Sequence, residues 1–143
     1  MSDMPTVALG TVCIDCSDAH EMARFYGGLL GWEPTFSEPD WVLMRDPAGG
    51  VGLSFQAEPD YEPPTWPEKP GSQQKMLHLD VRVTPADGAA ADAQGSEGAG
   101  QAALGAAADL AVASGGRLAD FQPREDLRII LDPAGHPLCL FLH

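Results

Sequence analysis

Asp46-Pro47-Ala48-Gly49 returns as Asp132-Pro133-Ala134-Gly135, the same four residues 86 positions further on. Each copy follows an apolar run, Trp41-Val42-Leu43-Met44 in the first and Leu127-Arg128-Ile129-Ile130-Leu131 in the second. Each also precedes one: Val51-Gly52-Leu53-Ser54-Phe55, then Pro137-Leu138-Cys139-Leu140-Phe141-Leu142. Strand, Pro/Gly turn and strand make a hairpin, in which Asp opens the turn and Gly supplies a positive φ. One such tetrapeptide means little. Two, in matching frames near the end of each half, mean an internal repeat.

Reading outward, each half should open with a strand and then a helix. Residues 11–16 read as the first strand. Ser17 or Asp18 can cap a helix, with Glu21 at the third helical position if Asp18 is the cap. Ala19, Met22, Ala23, Tyr26, Leu29 and Leu30 then form one apolar face, and Gly31 ends the helix. In the second half Leu77, Leu79, Val81 and Val83 alternate with His78, Asp80 and Arg82, the clearest half-buried strand of the chain.

The spacing therefore predicts an α+β fold of two βαβββ units in one domain. Unit one covers about 5–57, a Pro-rich crossover with Tyr61 and Trp66 covers 58–75, and unit two covers about 76–143. Aligning Thr11 with His78 gives a smaller offset than the two turns do, so unit two carries extra residues. They are assigned to an Ala/Gly-rich surface insertion near 86–104, with 95–100 as flexible linker and a helix over 102–113. Neither half could bury its sheet alone, so the crossover is not a domain boundary.

With 143 residues and 44% apolar content the chain can build one core. The net charge of −13 argues against nucleic acid as a partner. No apolar run approaches the roughly 20 residues of a membrane span, and 1–10 read as no signal peptide. Three scattered cysteines suit a reducing, cytoplasmic setting. Cys13 and Cys16 form a C-x-x-C, but three residues apart on a strand they point to opposite faces.

Leu29-Leu30-Gly31-Trp32, Trp41-Val42-Leu43-Met44-Arg45-Asp46-Pro47 and Pro64-Thr65-Trp66-Pro67 before His78-Leu79-Asp80 resemble the glyoxalase-like domains of the vicinal oxygen chelate superfamily. The resemblance implies a cupped mixed sheet around a shared cavity, with helices on the convex face. It also implies small-molecule ligands, and chemistry that ranges from metal-dependent lyases and extradiol dioxygenases to metal-free proteins that sequester drugs. Members often pair, so a homodimer is expected.

Metal-using relatives draw ligands from the first and last strand of each unit. Carried over, those positions are Thr11, Leu53, His78 and Cys139. One imidazole, one thiol, one hydroxyl and one hydrocarbon do not make a site for a hard divalent ion. The expectation is no family metal and no cofactor, with a divalent ion left open as the alternative. His78 is the best candidate for a catalytic group. Thr11, Trp41, Phe55, His78, Cys139 and Phe141 are expected to contact substrate, with Trp66 as a further wall of the cavity. His20 and His136 are read as facing solvent, and His143 as a frayed end.

The leading reading is a small-molecule-binding protein without the family metal, its reaction unassigned; as an enzyme it would be a lyase or an oxidoreductase. One alternative is a metal-dependent lyase or dioxygenase in which His78 and Cys139 recruit Gln56 or Asp80. Another is a drug-sequestering protein whose acidity suits a cationic planar ligand.

Overall fold

The computed structural model describes residues 3–85 and 97–142. Unit one runs β1 (Thr11–Cys16), α1 (Ala19–Leu30), β2 (Phe36–Glu38), β3 (Trp41–Met44) and β4 (Gly52–Ala57). Unit two runs β5 (Leu79–Val83), α2 (Glu97–Ala113), β6 (Arg117–Leu118), β7 (Leu127–Leu131) and β8 (Pro137–Leu142). The expected βαβββ repeat is what the chain forms. Each unit makes a four-stranded mixed sheet, ordered β1-β4-β3-β2 and β5-β8-β7-β6. In both, the first strand runs parallel to the last and the others are antiparallel.

Local chemistry explains the ends of α1. The Asp18 carboxylate accepts from the backbone N–H groups of His20 at 3.0 Å and Glu21 at 3.1 Å, satisfying two donors that a helix start leaves free. Gly31 stops the helix at φ 73°, a conformation costly for any residue with a Cβ.

The two turns are alike in detail. Gly49 N–H donates to Asp46 O and Gly135 N–H to Asp132 O, both at 2.9 Å. After the turns the units part by one residue. Paired Met44 and Leu53 are separated by eight residues, paired Ile130 and Leu138 by seven. Gly49-Gly50-Val51 thus holds one residue more than its counterpart, and Ser54, not Leu53, is the equivalent of Cys139. Because side chains alternate, this single residue exchanges the two faces of β4.

One core lies between the sheets and the helices. Phe25 and Tyr26 of α1 meet Phe55, Val42, Met44 and Ile14 from the first sheet, and Leu104, Ile130, Leu138 and Leu140 from unit two. Phe25, absent from the expected apolar face of α1, is fully buried. The helices pack on one another, and the units share this core.

Two expectations about unit two are corrected. Residues 86–96 of the anticipated insertion lie outside the described residues, as does His143. From Glu97 onward the chain is already helix, so α2 begins before residue 102 and 97–100 is not linker. Gly100 is buried against β8, where a Cβ would stand 2.9 Å from Leu142 Cδ1. Helix propensity of the Ala-rich run, together with this packing, outweighs the glycines.

Gly116, just after α2, sits tighter still. A Cβ there would lie 2.5 Å from Phe25 Cε1 and 3.1 Å from both Ala111 O and Ile130 Cγ2. Gly116→Ala should therefore cost about 1–3 kcal/mol through overpacking, measured by urea unfolding. An unchanged midpoint would show that α1 and α2 do not meet there.

Candidate functional site

Strand register decides which side chains leave the core. In β5 and β8, Asp80 pairs with Cys139 and Arg82 with Phe141, while Leu79 and Val81 pair with the fully buried Leu138 and Leu140. His78, Asp80, Arg82, Cys139 and Phe141 therefore share the face of the second sheet that turns away from the helices. Leu127, Ile129 and Leu131 of β7 join it through their pairing with Phe141, Cys139 and Pro137.

Trp66 of the crossover folds back over this face. Like Leu127 and Cys139, it packs against the buried cluster of Ala119, Ile129 and Leu131, and its ring lies 6.4 Å from that of Phe121. Lys75 Nζ stands 5.4 Å from the Trp66 centroid, and the Arg82 guanidinium 5.8 Å from that of Phe141. Trp66 Nε1 is buried with no acceptor among the described residues, an uncommon state for an indole N–H. The result is an apolar floor with polar groups at its rim, the make-up of small-molecule sites.

At that rim His78 Nε2 lies 3.4 Å from Asp80 Oδ1, with both side chains well exposed. The Cys139 thiol lies beside the same carboxylate. Burial, and secondarily the Asp80 charge, raise the pKa of Cys139. Donor atoms of His78, Asp80 and Cys139 all lie within 4.8 Å of one another, the one such trio among the described residues.

The first sheet's corresponding face is different. It presents Thr11, Cys13, Asp15, Trp41, Leu43, Ser54 and Gln56, as the register of β1, β3 and β4 requires. Trp41 lies beside Phe36, with ring centroids 5.7 Å apart. Phe55 is the clear correction. It is fully buried and stacks on Tyr26 at 5.4 Å, on the helix side, so it cannot line a cavity on the open face. Leu53 goes with it.

The four positions used by metal-binding relatives thus fall on Thr11, Ser54, His78 and Cys139. Two are hydroxyls, one of them buried, and they stand on a different sheet from the imidazole and the thiol. That donor set does not fit a four-ligand divalent site.

Where the units meet, the sequence reading missed a polar network. Asp132, 4% exposed, accepts from Tyr26 Oη at 2.7 Å and from the N–H groups of Ala134 at 2.9 Å and His136 at 3.0 Å. Burial raises the carboxyl's pKa; the nearby His136 and these three donors pull the other way and lose. His136 is not turned to solvent as expected: Nε2 lies 2.7 Å from Asp15 O and 3.1 Å from Tyr61 Oη. His20 likewise engages the chain, its Nε2 lying 2.8 Å from Glu38 O. Cys13 is exposed and Cys16 buried, their sulfurs on opposite faces, and the Cys16 thiol is pushed up to about 12 by desolvation.

Beside this network opens a cleft of about 540 Å³, lined by Asp15, Glu58, Asp60, Tyr61, Glu62 and His136 among others. It takes in none of the six residues expected to contact substrate. Those six divide between the sheets: Thr11 and Trp41 on the first, His78, Cys139 and Phe141 on the second, Phe55 in the core. No described helix is long and apolar enough to cross a membrane.

Among curated proteins no sequence matches the chain. Solved structures do share its fold. A glyoxalase-related enzyme from Fulvimarina pelagi superposes with a TM-score of 0.62 at 18% identity, over 95% of this chain and 88% of its own. A glyoxalase/bleomycin resistance protein/dioxygenase family enzyme from Burkholderia phytofirmans PsJN gives 0.64 at 14%, over 95% and 98%. A glyoxalase/bleomycin resistance protein from Albidiferax ferrireducens T118 gives 0.58 at 17%, over 94% and 98%. The sequence profile of the glyoxalase-like domain matches residues 11–141, nearly the whole chain. With the βαβββ repeat and its paired turns, this match establishes that the chain belongs to the glyoxalase-like domain family.

Proposed function

We propose that this protein binds a small molecule against the open face of the second sheet and does so without the four-ligand metal site of its metal-using relatives. The observation that carries the reading is the composition of that face. An apolar floor of Leu127, Ile129, Trp66 and Phe141 is bordered by His78, Asp80 and Cys139, and includes the unpartnered Trp66 N–H. A ligand carbonyl or carboxylate reaching that N–H would remove a buried unsatisfied donor, which stabilises the bound state by roughly 1–3 kcal/mol. His78 is the group placed to bind or to move a proton. Thr11 and Trp41 belong to this site only if the first sheet closes on it from elsewhere.

A thermal-shift screen of a small-molecule library tests the reading. Compounds that raise the melting temperature of the wild type should lose most of that shift with His78→Ala or Cys139→Ala, and keep it with Cys13→Ser. Compounds indifferent to both second-sheet variants would place the ligand elsewhere, the acidic cleft being the first alternative. Binding there would favour a cationic ligand and weaken steeply with salt.

We propose further that the protein works as a homodimer in a reducing, cytoplasmic setting. Met76, Leu77, Leu118 and Phe121 leave large apolar side chains exposed, and the three cysteines are free thiols. Light scattering should return twice the chain mass; a monomer mass at high concentration would count against the pairing.

A further inference from the structure

The two halves of the repeat differ in the charge of their open faces. On the first sheet the register puts Asp15 and Glu38 on that face and no base. On the second it puts Arg82 and Arg117 there with Asp80, Arg82 opposite Phe141 and Arg117 opposite Leu131. Lys75 comes to the same face from the crossover, its ammonium near the Trp66 ring and paired with Glu68. Three of the chain's eight Lys and Arg thus border one face of a protein whose net charge is −13. We propose that the ligand of this face is a monoanion, a carboxylate carried on an apolar body, selected by Arg82, Arg117 and the Trp66 indole N–H. The inference deepens the binding reading above and rests on it.

The layout of the sheet assigns these groups different tasks. In the order β5-β8-β7-β6, Arg82 stands on one edge strand and Arg117 on the other, with the apolar floor of β8 and β7 between them. Three strand spacings make ~14 Å, so one carboxylate contacts one guanidinium and not both. Together the two arginines set the sign of the field over the floor, which a neutral or cationic ligand does not exploit. Neither makes an ion pair among the described residues, so each keeps N–H donors for an incoming oxygen. Arg82 lies against Phe141, a contact that leaves the in-plane N–H edge of a guanidinium free. The Trp66 N–H supplies a directed bond, and a carboxylate oxygen is a stronger acceptor for it than a neutral carbonyl. Acid elsewhere on the chain repels a second negative charge, so a phosphate monoester fits less well than a carboxylate.

Matched probes on the whole chain test this. Naphthoate, its carboxamide, naphthylmethylamine and naphthyl phosphate are titrated by calorimetry while the Trp66 indole N–H is followed by NMR. Naphthoate should bind at least about 10-fold tighter than the other three, as a charge-assisted bond requires, shift the Trp66 signal and weaken as salt rises. Arg82→Gln and Arg117→Gln, both at exposed positions, should each lower its affinity about 2- to 5-fold and leave the carboxamide's unchanged. Trp66→Phe should lower it about 10-fold or more, with the urea midpoint of each variant as the folding control. Failure of naphthoate to bind, equal binding of the amide, amine or phosphate at this face, or indifference to both arginines would overturn the choice of a carboxylate. Thermal-shift hits that still need His78 would then leave the binding reading standing. Hits that need neither His78 nor Cys139 would remove both, so the two failures are distinguishable.

Discussion

Replacing Phe55 by alanine should lower stability by about 3–5 kcal/mol, the usual cost of emptying a buried aromatic position. Phe141→Ala, at the half-buried position two residues after Cys139, should cost under about 2 kcal/mol. Matching the units residue for residue from their turns would give both rings the same role on the open face. The extra residue in the first turn breaks that match, and Phe55 goes into the core against Tyr26. Urea unfolding of both variants reads the difference, and the Phe55 loss should appear as a fall of roughly 10 °C in melting temperature. Equal costs would mean that the register is wrong.

Asp132→Ala should cost about 3 kcal/mol or more, because it strands the Tyr26 hydroxyl and two turn N–H groups in a buried place. Asp46→Ala removes the equivalent turn contacts, to Ala48 N–H at 2.8 Å and Gly50 N–H at 3.1 Å, where water can replace them. It should cost about 1 kcal/mol or less. A pH dependence accompanies this contrast. Burial holds the Asp132 carboxyl above its ordinary value of 3.8, so the folded state binds that proton more tightly than the unfolded one. Stability contributed by this group is therefore greatest at low pH and falls as pH rises from about 3.8 through the raised value. Asp132→Asn keeps one oxygen acceptor for the Ala134 and His136 N–H groups, presents an NH2 donor to the Tyr26 hydroxyl, and removes the titration. The difference in unfolding free energy, wild type minus Asp132→Asn, should decrease with pH across that window. A difference that rises with pH would mean that the three donors, not burial, dominate.

Much of the fold could be read from the chain because its signals are local. The two Asp-Pro-Ala-Gly turns, the Asp18 cap, the Gly31 stop and the alternation through Val83 each depend on near neighbours. What escaped was set at longer range. One additional residue among Gly49-Gly50-Val51 reverses β4, and an alignment anchored on the turns does not register it. The polarity of β4 itself carried the signal: Leu53 and Phe55 are apolar, while Ser54 and Gln56 between and after them are polar. The start of α2 was hidden by glycines that tertiary packing tolerates. His136 looked like a turn residue open to water, and only the approach of β1 and the crossover gives its ring partners. For the site, the alternation correctly placed His78, Asp80 and Arg82 together. Their partnership with Cys139 needed the parallel pairing of β5 with β8, which links residues 59 apart in sequence.

On the proposed function, the ligand lies on the open face of the second sheet, not on the first sheet's equivalent and not in the acidic cleft. Backbone amide chemical shifts measured as a thermal-shift hit is added test this most directly. Perturbations should concentrate at 78–82, 127–131 and 138–141, with the Trp66 indole N–H moving as it gains an acceptor. Perturbations concentrated instead at 11–16 and 52–57, or at 58–62 and His136, would contradict it.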